Sequence, residues 1–319
     1  MVLGSISRAI TVLLLLSVPA VSGAQSPDEG SAAADPSYSK KGADSCIACH
    51  DEDEPQILTL FRTKHGVPTD PNSPFGDGQL QCEACHGPGA EHSKRLRRGQ
   101  ERHEPIMNFG SDAAAPVEVQ NEMCLGCHTS DVGFGWHAGP HDNDEVACAD
   151  CHVSHAPKDA VLQTSTEPSV CYDCHQAERS EALRAFSHPF FEGKMSCSGC
   201  HSPHGETTDL QLVRQTVNET CYDCHAEKRG PYLWEHAPVT EDCALCHTPH
   251  GSNHPGMLTK RAPLLCQSCH SQSGHPSIPQ DAGGLASGTP SRFLLGQSCM
   301  NCHEQVHGSN HPSGSKLMR

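Results

Sequence analysis

The pentapeptide Cys171-Tyr-Asp-Cys-His175 returns unchanged as Cys221-Tyr-Asp-Cys-His225. Without its two variable residues it reads Cys-x-x-Cys-His, and the 319-residue chain carries that unit ten times. The first five units are Cys46, Cys49 and His50; Cys82, Cys85 and His86; Cys124, Cys127 and His128; Cys148, Cys151 and His152; and Cys171, Cys174 and His175. The last five are Cys197, Cys200 and His201; Cys221, Cys224 and His225; Cys243, Cys246 and His247; Cys266, Cys269 and His270; and Cys299, Cys302 and His303. Together they use all 20 cysteines. This is the spacing of c-type haem attachment. Two thiols reach the two vinyl groups on one edge of a macrocycle, and the next residue sets an imidazole under the iron. A disulfide framework does not call for His after every second Cys. A structural zinc site draws on two Cys pairs and needs no trailing His. A thioredoxin-like motif occurs once, near a βαβ pattern. The expected cofactors are ten covalently bound haem c groups.

The N-terminus agrees with that chemistry, because haem is attached after export. Arg8 forms a short basic region, Ala9 to Val21 is apolar, and the small residues Ser22 and Ala24 precede Gln25. Residues 1–24 therefore read as a secretory signal peptide, which places the mature chain in a periplasm. No later stretch approaches the ~20 apolar residues of a membrane helix. The 22 basic and 38 acidic side chains give a formal charge of −16, which argues against nucleic acid as a partner. With 35% hydrophobic and 4% aromatic residues, the chain is too poor in apolar side chains for an ordinary core. The macrocycles are expected to supply the interior, so folding should depend on them.

Residues 25–44, rich in Ser, Ala and Asp, read as a flexible leader. Residues 45–319 read as one elongated decahaem domain with two pentahaem halves, roughly 45–185 and 186–319. From Cys148 to Cys266 the motifs start 23, 26, 24, 22 and 23 residues apart. A short, steady period implies an array in which neighbours touch neighbours. The expected fold is that of a multihaem cytochrome: short α-helices and irregular chain around a linear haem array, with little or no β structure. The Pro- and Gly-rich stretches 68–78 and 271–297 read as loops. Lys94, Arg95, Arg97, Arg98 and Arg102 form a basic cluster whose plainest reading is a solvated face or a set of partners for haem propionates, and whose sharper reading is a docking patch.

Fourteen of the 24 histidines lie outside the motifs, and ten haems with two imidazoles each require ten of them. A repeated unit guides the choice: one His precedes a motif and another follows the motif His by three residues. His188 and His204 flank one motif in this way, as His236 and His250 flank another. Around Cys148 the following residue is His155. The preceding one is His137 or His141, and His141 is preferred because it lies seven residues before Cys148, as His236 does before Cys243. At the ends the unit stretches to His65 with His92, and to His275 with His307. His103, His137, His254 and His311 are left over.

The chain resembles the MtrA/DmsE family of decahaem cytochromes. The resemblance rests on Lys41-Gly-Ala-Asp-Ser-Cys46, His141-Asp-Asn, Ala226-Glu-Lys-Arg-Gly-Pro231, Leu233-Trp-Glu-His-Ala-Pro-Val-Thr-Glu241 and His307-Gly-Ser-Asn-His-Pro-Ser-Gly314. It covers nearly all of the mature chain but not the leader before Tyr38. It implies His141 as a ligand and leaves His103, His137 and His254 outside the pattern. It also implies an electron conduit at the outer membrane, threaded into a porin-like β-barrel between periplasmic and extracellular multihaem cytochromes. Two imidazoles on every iron leave no vacant position for a substrate, so the expectation is an electron carrier and not an enzyme. The alternatives are a multihaem oxyanion reductase, which needs a vacant iron, and a soluble periplasmic shuttle to a terminal reductase.

Overall fold

The computed structural model describes residues 37–318 apart from 51–54, 103–105, 131, 133–134, 138, 206–207, 209 and 271–298. The stretch read above as a signal peptide and most of that read as a leader lie outside the described residues, as do His103 and His275.

Every motif folds as one helical turn. The amide of each motif His donates to the carbonyl of its first Cys at 2.8–3.0 Å. One such turn brings residues three apart to one face, so both thiols of a motif share a side and the imidazole follows directly. Helices are short because little else prolongs them. The longest among the described residues is Val117–Leu125, at nine residues.

The motifs alternate between two settings. Those at Cys46, Cys124, Cys171, Cys221 and Cys266 end a helix: Ala43–Ile47, Val117–Leu125, Glu167–Tyr172, Val217–Tyr222 and Ala262–Gln267. Those at Cys82, Cys148, Cys197, Cys243 and Cys299 open a shorter α or 3-10 turn. The structural repeat is thus two motifs, not one.

In three of the pairs a buried polar residue ties one motif to the next. Asn121, 5% exposed, accepts from the Cys148 amide at 2.8 Å and donates to the Val146 carbonyl. Asn218 does the same for Cys243 at 2.7 Å and for the Val239 carbonyl. Glu167 accepts from the Ser198 amide and hydroxyl beside Cys197. An amide at the start of a helical turn has no partner within the helix, and these side chains supply one.

Among the described residues there is no named strand. Four isolated antiparallel bridges occur, at Phe186–Ser252, His201–Leu212, Trp234–Ser309 and His247–Leu258. The apolar interior is slight. Among the described residues the two buried clusters are Ala43, Leu60 and Phe75, and Tyr172, Ala182 and Phe190. Phe75 lies in the loop expected at 68–78, which therefore folds inward.

Candidate haem sites

With the motifs numbered 1 to 10 along the chain, their thiols run in sequence order. The first thiols of sites 1 and 2, Cys46 and Cys82, are close enough for one to perturb the ionisation of the other. So are Cys124 and Cys148, Cys171 and Cys197, Cys221 and Cys243, and Cys266 and Cys299. The intervening junctions use the second thiol of the even site. Burial, and then the charge of the next motif's cysteines, push up Cys85, Cys151, Cys200 and Cys246. The neighbours that act this way are Cys124 and Cys127, Cys171 and Cys174, Cys224, and Cys269 respectively. Each inner motif therefore abuts the one before it and the one after it. Glu167 lies with Cys171 and Cys197 in a cluster whose ligand atoms fall within 4.8 Å. Both sulfurs belong to attachment motifs, so the cluster is part of sites 5 and 6.

Two of the expected attachment cysteines, Cys49 and Cys302, depart from this pattern of junctions. Both are exposed, as are the inner second thiols Cys85, Cys127, Cys174, Cys224 and Cys269, whereas Cys151, Cys200 and Cys246 are half-buried. Cys49 is the second thiol of site 1 and has no earlier motif to meet, and Cys302 is the second thiol of site 10 and has no later one. The attachment turn itself is kept at both ends. The Cys49 amide donates to the Cys46 carbonyl at 3.0 Å, and the Cys302 amide donates to the Cys299 carbonyl at 3.2 Å.

Nine motif imidazoles face a second imidazole. The pairs are His50–His92, His128–His65, His86–His155, His175–His141, His152–His204, His225–His188, His201–His250, His270–His236 and His247–His307. Ring centroids are 5.9–6.4 Å apart. An iron between two imidazoles needs about 2 Å to each nitrogen, by analogy with zinc, and about 1 Å more to each ring centre, for a total near 6 Å. The spacing fits the group.

The pairing crosses the repeat. Even units 2, 4, 6 and 8 set their upstream His against the next site: His65 at site 3, His141 at site 5, His188 at site 7 and His236 at site 9. The later even units lend their downstream His two sites back: His155 to site 2, His204 to site 4, His250 to site 6 and His307 to site 8. Site 1 takes His92. His275, expected opposite His303, lies outside the described residues.

Hydrogen bonds select the tautomer. The Nδ1 of His141, His188 and His236 donates to the carbonyls of Pro203, Pro249 and Val306 at 2.7–2.9 Å. Each of those carbonyls immediately precedes another paired His: His204, His250 or His307. Motif residues His86, His201, His247 and His303 donate to the carbonyls of Met107, Leu210, Gly256 and Lys316 at 2.7–2.9 Å. An imidazole that donates through Nδ1 presents the lone pair of Nε2 to a metal. Burial, and then the charge of the facing His128, hold His65 below its ordinary pKa. His204 is lowered by burial and then by His152. His155 is lowered by burial and then by His86. For His307 burial leads and Lys228 follows. All four shifts favour the neutral, metal-binding form.

Gly205 and Gly251, which follow His204 and His250, give the His-Gly pattern a steric reason that no local spacing reveals. Gly205 has φ +96°, and a Cβ there would strike the Gly135 carbonyl. Gly251 has φ +151°, and a Cβ there would strike the Glu181 carbonyl. His137 is exposed, and the ring of His311 accepts from the Ser313 amide and contacts its hydroxyl. His254 is half-buried.

The doubled repeat has a counterpart among known proteins. A family defined by a doubled CXXCH motif matches residues 188–230 and 236–275, and a family of NrfB-like c-type cytochromes matches 82–169. Over 288 residues the chain is 48% identical to multiheme cytochrome MtrA of Shewanella baltica (strain OS185), covering 90% of this chain and 84% of the relative. The chain belongs to the MtrA family of multihaem cytochromes. Similarity extends at 28% identity to the cytochrome c-type protein NrfB of Haemophilus influenzae, over 41% of this chain and 63% of the relative. At 22% identity it reaches the high-molecular-weight cytochrome c of Nitratidesulfovibrio vulgaris, over 81% of this chain and 44% of the relative. Like this family, the chain is a c-type cytochrome that binds haem covalently and carries electrons.

Proposed function

We propose that this MtrA-family chain holds ten haems, each between its motif His and a second His, and passes electrons along them across the outer membrane. All 20 motif cysteines, Cys49 and Cys302 at the ends included, serve as attachment points. The nine facing pairs serve as ligands at sites 1 to 9, and His275 completes site 10 with His303. The observation that carries the reading is the combination of paired imidazoles with motifs that touch in sequence order. Each haem, when bound, supplies one-electron chemistry at iron. The chain does the rest. Its Nδ1 hydrogen bonds fix the imidazoles, and its paired motifs keep successive macrocycles in contact. With a motif His and a second His to hold each iron, no iron would be left for a substrate, which disfavours the oxyanion-reductase reading.

The domain 45–319 is elongated in this proposal, its signal peptide is removed, and the protein works from the periplasm. Among the described residues no helix is long and apolar enough to cross a membrane. A polar chain enters the bilayer only inside a closed barrel, because backbone groups have no water to bond there. The proposed partner is therefore a porin-like β-barrel, with multihaem cytochromes at the periplasmic and extracellular ends. An array of ten haems in contact exceeds the ~30 Å hydrocarbon core. Affinity purification from detergent-solubilised outer membranes tests this, with co-purification of a β-barrel protein expected. Recovery of the chain alone from the soluble fraction would favour the periplasmic shuttle.

A further inference from the structure

At the even sites the motif imidazole reaches the segment that returns after its motif. At sites 2, 6, 8 and 10 the acceptor there is a main-chain carbonyl: Met107, Leu210, Gly256 or Lys316. Site 4 departs from this. The Nδ1 of His152 donates to Oδ2 of Asp159 at 2.8 Å, and Oδ1 of the same carboxylate accepts from the Val153 amide at 3.3 Å. The Asp159 side chain is only 13% exposed. It leads into the turn Ala160–Leu162, which packs against the helix Glu167–Tyr172 of site 5. The carboxylate is thus held by its backbone and by two donors, and little water competes for it.

A carboxylate accepts a stronger hydrogen bond from an imidazole than a neutral carbonyl does. It draws the Nδ1 proton toward itself and makes Nε2 a better donor to a metal, the second-shell effect by which such pairs tune metal sites. We infer that Asp159 is a positioning and tuning residue that sets the haem at site 4 to a lower reduction potential than the haems at sites 2 and 8. The inference rests on the ligand reading above, at this site through His152 and His204, which face each other at 6.0 Å. It makes the array uneven: electrons moving in either direction meet a step at its fourth position.

The test uses the holoprotein carrying Asp159→Asn, with Asp159→Glu as the conservative rescue. Haem content by pyridine haemochromogen and the low-spin EPR signals are recorded first. A loss of low-spin character in the unaltered protein would count against the ligand reading itself, not against the role of Asp159. Redox titration is then followed by absorbance and EPR. The expected result for Asp159→Asn is that one component of the titration moves to higher potential while the rest stay in place. The EPR envelope of one low-spin haem should shift with it, and Asp159→Glu should restore both toward the unaltered protein. A titration and EPR envelope unchanged by Asp159→Asn, with full haem content, overturn the inference. If Asp159→Asn fails to load its haems, Asp159→Ser removes the charge with a smaller side chain and is read by the same two outcomes.

Discussion

At the scale of single residues, the paired imidazoles make the sharpest expectations. Replacing His204 by Ala should leave nine haems unchanged and open one. Carbon monoxide should then bind about one haem per reduced molecule, where the unaltered protein binds essentially none. Substantial binding to the unaltered protein would instead revive a substrate-binding iron. The lowered pKa values of His65, His155, His204 and His307 give a pH dependence with a definite sign. These imidazoles are neutral in the fold more readily than the ordinary value of 6.5 allows. Their contribution to stability is complete above that value and falls as pH drops below it through the folded-state pKa. Acid titration of the oxidised holoprotein should therefore convert low-spin haem to high-spin haem on the acid side of 6.5 and leave the alkaline side flat. Loss of low-spin character on raising the pH would contradict the assignment.

At the scale of the element, the motif turn was legible from sequence because its chemistry rests on five consecutive residues. The shortness of the helices was legible too, since no apolar period sustains them. The choice among fourteen spare histidines was made on local spacing; nine of the chosen residues stand opposite motif imidazoles, and their role as ligands is the proposal made above. Which stands opposite which was not legible. His155 meets His86 and His204 meets His152 only because the chain doubles back after each pair of motifs, and no local pattern encodes that return. Asn121, Glu167 and Asn218 were missed for a similar reason. A polar residue one turn before a motif looks like surface until the next motif's amide is seen against it. Asn218→Ala leaves the Cys243 amide without its acceptor, at a cost of about 1–3 kcal/mol, typical for a buried unsatisfied group. Thermal unfolding of the holoprotein should shift down accordingly, with all ten haems still attached. Gly251→Ala acts differently: it should displace the neighbouring His250 and open site 6 to carbon monoxide. A variant with an unchanged carbon monoxide titration would refute that.

At the scale of the whole molecule, eight buried hydrophobic residues among those described are few for a chain of this length. Burial of apolar side chains cannot by itself offset the conformational entropy of ordering so many residues. Expression without haem attachment should give a chain with little ordered structure by circular dichroism, sensitive to protease throughout. A cooperative thermal transition in that haem-free chain would refute this. Truncation gives a less obvious result. Ending the chain at residue 298 removes motif 10 and also removes His307. The damage should therefore appear first at site 8, while site 9 keeps His236 and loses only the Val306 carbonyl that orients it. Counting carbon monoxide-reactive haems in the truncated protein, and locating them by pairing the truncation with His247→Ala, distinguishes this from simple fraying at the new end.

The crossed pairing also sets a timetable. In the export and ligation proposed above, N-terminus first, the chain delivers the upstream imidazoles of sites 3, 5, 7 and 9 before the motifs they would serve. Sites 2, 4, 6 and 8 must wait for an imidazole that emerges two motifs later. Maturation therefore cannot finish site by site behind the exporter. Each of these sites stays open on one face until later chain arrives to close it, so the newest segment is always the one that completes an older site.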